Sequence, residues 1–166
     1  LIGETMIQND KLKEIPLKQL PYLKVHGRTS SRRDPLTLFW TGSGIELNVK
    51  ASELWIEIES GYSFYEPWIS ILVNEEQVSR MMVVSGRQSI CIFRGMNPNM
   101  VKNVKVLREV QAMSVDNECC LQIHSVSSDG EFLEVMDKPY KIEFIGDSIT
   151  AGSGITPIIS MAEFAL

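Results

Sequence analysis

Several kinds of residue and pattern are scarce in this sequence, and each scarcity removes a class of protein. The 166 residues hold three cysteines and two histidines. No apolar run approaches the ~20 residues that a membrane-spanning helix needs, so no membrane partner is expected. Cys91, Cys119 and Cys120 are odd in number and include one vicinal pair, without a Cys-x-x-Cys spacing. That pattern is neither a disulfide framework nor a zinc site. Buried or half-buried free thiols in a reducing compartment are the expectation, with no metal and no cofactor. A basic stripe is also missing: 16 Lys and Arg face 21 Asp and Glu, for a net charge of −5. The densest basic cluster, Arg28, Arg32 and Arg33, lies in a Ser-rich turn and reads as a solvated loop, so nucleic acid is not an expected partner. The opening "LIGETMIQNDKLKEIPL" lacks the basic n-region and apolar h-region of a secretory signal. Localisation leans to the cytoplasm on that ground, with secretion open if a leader was removed.

What is present is an ordinary globular composition, 44% apolar and 22% charged, with enough material for a core. From about residue 22 to residue 145 the apolar period is two. In "GIELNVK", Ile45, Leu47 and Val49 alternate with Glu46, Asn48 and Lys50; in "LWIEIES", Leu54, Ile56 and Ile58 alternate with Trp55, Glu57 and Glu59. Such alternation marks half-buried antiparallel strands. Further strands are expected in "YLKVHG", "LTLFW", "WISILVN", "QVSRMMVV", "SICIFRG", "NVKVLREVQAM" and "CLQIHSVSS". The breaks between them carry turn chemistry: "TGSG", "VNEE", "VSGR", "GMNPNM" and "SSDGE". About nine short strands without a helical period between them predict a mainly β fold, a jelly-roll-type antiparallel sandwich over 22–138. Residues 1–21, interrupted by Pro16 and Pro21, are expected to form an irregular lead-in. The paired Met81 and Met82 and the other methionines are read as gap-filling core residues.

The pattern changes at "LEVMDKPYKIEFIGDSIT". Pro139 closes a linker, and Tyr140, Ile142, Phe144 and Ile145 make a short apolar strand that runs directly into Gly-Asp-Ser. Strand, tight turn and helix start is how an α/β domain begins. Residues 139–166 are therefore expected to be the truncated start of such a domain, since a parallel sheet needs several units of roughly 30 residues each. The last stretch has helical spacing at Ile158, Met161, Ala162 and Ala165, an apolar face that suits self-association or a missing C-terminal catalytic part.

A serine at such a turn is exposed, and a helix start would point backbone N–H groups at developing negative charge. Ser148 is then a candidate nucleophile, with its own N–H as an oxyanion donor; Gly146 allows the sharp turn and Asp147 could brace it. The plainer reading of Gly-Asp-Ser is a helix N-cap. The motif is longer than that. "FIGDSITAG" resembles block I of the GDSL/SGNH hydrolases, whose nucleophile corresponds to Ser148. Together with "VHGRT", "FWTGSGIELNVKASELWIEIE", "PWISILVN", "FRGMN" and "GEFLEVMDKPYKIEFIGDSITAG", the chain resembles carbohydrate esterase family 2 over most of residues 20–152. The resemblance implies an N-terminal β-sandwich followed by an SGNH domain that removes acetyl groups from xylan-type glycans. An acetylated polysaccharide or oligosaccharide is the implied partner. The glycine, asparagine and Asp-x-x-His that such a family member supplies after its nucleophile do not follow Ser148 here.

His26 and His124 fall in expected sandwich strands, where a sheet-face role is the ordinary reading of each. Trp68 and Tyr65, within the aromatic-rich "SGYSFYEPW", are candidates for stacking on sugar rings; core and edge packing is the alternative. A non-catalytic carbohydrate-binding or accessory sandwich is the competing function.

Overall fold

The computed structural model describes residues 11–111 and 115–140, together with 142 and 146. The chain divides into two units, Leu1–Val135 and Met136–Leu166. All the described strands lie in the first: β1 (Lys13–Pro16), β2 (Lys24–His26), β3 (Leu36–Thr37), β4 (Gly44–Lys50), β5 (Leu54–Gly61), β6 (Trp68–Val73), β7 (Glu76–Met82), β8 (Gly86–Phe93), β9 (Val101–Arg108), β10 (Cys120–Ser128) and β11 (Glu131–Leu133). The fold is mainly β, as expected, and a three-residue 3-10 turn at Leu17–Gln19 is the single helical element among the described residues.

The strands form two antiparallel sheets. One has the order β1-β10-β5-β8, with β3 also paired to β10; the other has the order β11-β4-β9-β6-β7, with β2 also paired to β4. Apart from the β6–β7 hairpin, successive strands alternate between the sheets, so nearly every connection passes from one layer to the other. The inward parities meet in one core: Ile45, Leu47 and Val49 of β4, Leu54, Ile56 and Ile58 of β5, Ile69 and Ile71 of β6, and Val104 and Val106 of β9. Period-two patterning fixes these positions because a strand sends successive side chains to opposite faces.

Register places the connections. Gly44 pairs with Leu107, Ser60 with Gly86, and Trp68 with Met82, and β10 starts beside the end of β5. The connections β3–β4, β5–β6, β7–β8 and β9–β10 therefore all cross at one end of the sandwich. The connections β4–β5, β8–β9 and β10–β11 lie at the other, with the β6–β7 hairpin. In that hairpin Asn74 and Glu75 both have positive φ, the requirement of a two-residue turn matched to strand twist.

Several expectations need correction. Residues 13–16, read as irregular, form β1 against β10. Pro16 is tolerated because β1 is an edge strand and Pro16 its last residue, where a missing N–H matters least. "LTLFW" yields only the two residues of β3. Cys91 is exposed rather than buried, because it lies on the outward parity of the edge strand β8. Met96, Met100 and Met136 are exposed too, standing on connections rather than on a core-facing strand, whereas Met81 packs against the core. In β10 the register shifts between Ile123 and Ser125. This bulge at His124 transfers the inward parity from Leu121 and Ile123 to Val126 and Ser128, which plain alternation does not anticipate.

Most of the strand–turn–helix expected over 140–152, including Asp147 and Ser148, and the helical spacing at 158–165 lie outside the described residues, while Tyr140 and Ile142 are described and exposed. Gly146 is described and exposed. Among the described residues no helix is long and apolar enough to cross a membrane.

Candidate functional site

The crossover end is built around two buried ionic groups. Arg108 closes β9 on the inward parity of Val104 and Val106 and is only 2% exposed. Its guanidinium donates to the Val110 and Leu38 carbonyls at 2.6 Å each and to the Cys119 sulfur at 3.2 Å. Cys119 lies 3.9 Å from the Tyr65 carbonyl. Leu38 is itself held in the first sheet by its N–H on the Leu121 carbonyl, and Gly42 donates to the Arg108 carbonyl in the second. Arg108 thus ties the β9–β10 crossover to β3–β4, and Cys119 extends the link to the β5–β6 connection. Gly42 takes φ +77° to complete the passage, a conformation that favours glycine.

Asp116 is the second group. Its buried carboxylate accepts the backbone N–H groups of Ser63, Phe64, Tyr65 and Glu118 at 2.8–3.2 Å. Burial alone would raise its pKa, but these four donors win and hold it below the usual carboxylate value. The β5–β6 connection is therefore pinned by its backbone, which leaves its side chains free to point outward. Phe64 is 69% exposed and Tyr65 47%. On the β3–β4 crossover Phe39 is 45% and Trp40 49% exposed.

Trp68, at the start of β6, is half-buried beneath the Arg80 guanidinium, 4.6 Å from the ring centroid. Arg80 and Ser70 both bond to Glu109, whose N–H donates to the Trp68 carbonyl. One face of this indole is taken by protein, whereas Tyr65 stands open. The two histidines are apart, on the outward faces of different sheets. His26 bonds to Glu46 at 2.7 Å and His124 to Glu59 at 2.8 Å. Burial opposes ionisation of Glu46, yet hydrogen bonds from His26 and Asn103 lower its pKa to about 2.

Opposite the crossover end, Lys102 is Arg108's counterpart on β9. Its ammonium donates to the Ala51, Asn97 and Met100 carbonyls at 2.6–3.0 Å. Asp129 accepts the Ser52 and Glu53 N–H groups at 3.0 Å each. Neither Lys102 and Arg108 nor the aspartates had been singled out from the sequence. The signal for the cations was there: 102, 104, 106 and 108 share one parity, so a charge at either end of the Val104–Val106 pair must face inward. Little local announces Asp116 or Asp129: apart from the Glu118 N–H, the backbone donors named for them lie more than 50 residues away.

This two-sheet architecture is that of solved carbohydrate esterases. An acetyl xylan esterase, Est2A, from the rumen bacterium Butyrivibrio proteoclasticus aligns with TM-score 0.81 and 37% identity over 86% of this chain. A family two carbohydrate esterase from Cellvibrio japonicus aligns at 0.63 with 21% identity over 77%, which shows the fold. One from Clostridium thermocellum in complex with cellohexaose aligns at 0.63 with 24% identity over 77%. The resemblance to carbohydrate esterase family 2 read from the sequence is borne out by these neighbours. The chain spans 39%, 36% and 38% of their lengths, respectively. No protein-family model and no curated protein matches it.

Proposed function

We propose that this chain carries the jelly-roll sandwich and the nucleophile turn of a carbohydrate acetyl esterase of the SGNH type, acting on acetylated xylan-type glycans. The observation that carries the reading is the 37% identity to an acetyl xylan esterase over 86% of the chain. The block "FIGDSITAG" supports it, and so does the alternation of strands between two sheets. In this reading the Ser148 hydroxyl attacks the acetyl carbonyl carbon, and the Ser148 N–H steadies the oxyanion. The bond to the sugar oxygen breaks, the serine proton passes by way of a base to that oxygen, and water then releases acetate. Gly146 gives the acetyl group room and Asp147 braces the turn. His26 and His124 are committed to Glu46 and Glu59, so the reading assigns the base to neither. The reading places the base on residues outside this sequence.

The test is intact mass after fluorophosphonate treatment of the protein isolated with any chain bound to it. A single adduct that disappears in Ser148→Ala is expected. An unlabelled Ser148 alongside a labelled reference esterase refutes the catalytic reading. It would leave the second reading, a glycan-binding or accessory sandwich, which the exposed rings of Trp40 and Tyr65 favour.

A further inference from the structure

We propose that the crossover end of the sandwich is a glycan-stacking platform. Phe39 and Trp40 on the β3–β4 crossover and Phe64 and Tyr65 on the β5–β6 crossover, which flank the β9–β10 crossover, would take a neutral oligosaccharide of equatorially substituted pyranose units. This rests on the carbohydrate half of the reading above, not on the activity of Ser148.

Three observations carry it. First, these four rings and Tyr22 are all the exposed aromatics of the first unit among the described residues, and four of the five share one end. Exposed rings gathered on one surface mark an interaction site, whereas scattered ones need no explanation. Second, the two segments are held before any ligand arrives. Arg108 and Asp116 are buried charges whose hydrogen bonds go to the backbone of these crossovers and their neighbours, and in one case to the Cys119 sulfur, not to other charges. A loop fixed in advance loses little entropy when it binds. Third, the charge suits a neutral ligand. Residues 38–43 and 62–67 read "LFWTGS" and "YSFYEP", with Glu66 as their one charged residue. There is no cation on them for a phosphate or a polyanion. The rings are interleaved with the hydroxyls of Thr41, Tyr62 and Ser63, and Trp40 and Tyr65 add an N–H and an O–H. A pyranose with equatorial substituents offers the matching surface, an apolar C–H face rimmed by hydroxyls.

The experiment is calorimetric titration of the whole 166-residue chain with unacetylated xylohexaose and cellohexaose. Unacetylated ligands keep the result independent of ester cleavage. Saturable binding of at least one is expected, weakened about tenfold by Trp40→Ala or Tyr65→Ala and retained in Trp40→Phe. Tyr22→Ala, an exposed ring elsewhere, should bind as the parent does. Melting temperatures of the variants show whether any loss reflects unfolding. Absence of binding to both, or binding indifferent to Trp40 and Tyr65, overturns the proposal. So does concentration-dependent self-association that Trp40→Ala abolishes, because the rings would then serve a second copy. A platform that fails while Ser148 is still labelled leaves the esterase reading intact, and glycan binding by an unlabelled chain leaves the platform intact.

Discussion

Arg108→Met is the substitution that tests most directly how the crossover end is built. Methionine fills a similar volume and keeps the inward parity of β9, but it removes every hydrogen bond of the guanidinium. The two carbonyl bonds, each 2.6 Å long, are of the charge-assisted kind that contributes about 1.5–3 kcal/mol apiece. After the change the Val110 carbonyl can turn to water, since Val110 is exposed, while Leu38 is fully buried and its carbonyl is left without a partner. Such an orphan costs about 1–3 kcal/mol. Against this, removal of the cation recovers several kcal/mol of desolvation. The net is a loss of about 2–4 kcal/mol, a large part of the ~5–15 kcal/mol by which a domain is folded. At ~2–4 °C per kcal/mol for a chain of this size, the melting temperature should fall by about 5–15 °C. Urea unfolding followed by the fluorescence of the three tryptophans measures it. Arg108→Lys keeps the charge but not the fork, so it too should destabilise. A change below about 1 kcal/mol in Arg108→Met would refute the reasoning, because desolvation would then balance the hydrogen bonds and the crossovers would hold without them.

Two further outcomes are expected. The folded-state pKa of Glu46, about 2, lies below its unfolded value, so its contribution to stability is fully present above the unfolded pKa. That contribution should drain away as pH falls toward 2, the lowered carboxyls of Asp116 and Asp129 acting in the same direction; thermal melts from pH 6 to pH 2 should show a shallower decline in Glu46→Gln. Gly44 faces Leu107 so closely that a Cβ there would meet the Val106 carbonyl oxygen at 2.0 Å, so Gly44→Ala should cost at least the ~1–3 kcal/mol typical of overpacking. Wild-type stability in that variant by urea titration would show that β4 and β9 can part without penalty.

Much of the sandwich was legible because alternation is a local code. "GIELNVK" and "LWIEIES" state their inward faces residue by residue, and β4 and β5 follow them. Where the reading slipped, a non-local term intervened. β1 and β11 are strands because β10 and β4 offer them free edges, not because "KEIP" or "EFL" carries a pattern. The bulge at His124 changes parity in mid-strand, which no periodicity can foresee. The family resemblance was legible in blocks of sequence, and the aromatic content of "SGYSFYEPW" could be read too. Which of its rings are open could not be, since that depends on what each packs against: Arg80 covers one face of Trp68, while Asp116 props the backbone of Phe64 and Tyr65 from beneath.

The sequence by itself determined the period-two strands, their turns and the apolar rows that make the core, because each depends on residues a few positions apart. The tertiary structure alone decided that connections separated by up to 80 residues meet at one end of the sandwich. It also decided that Arg108 and Asp116 are buried among them, and that four aromatic rings are left facing solvent. These are facts of sheet order and register, settled only when both layers close on one core.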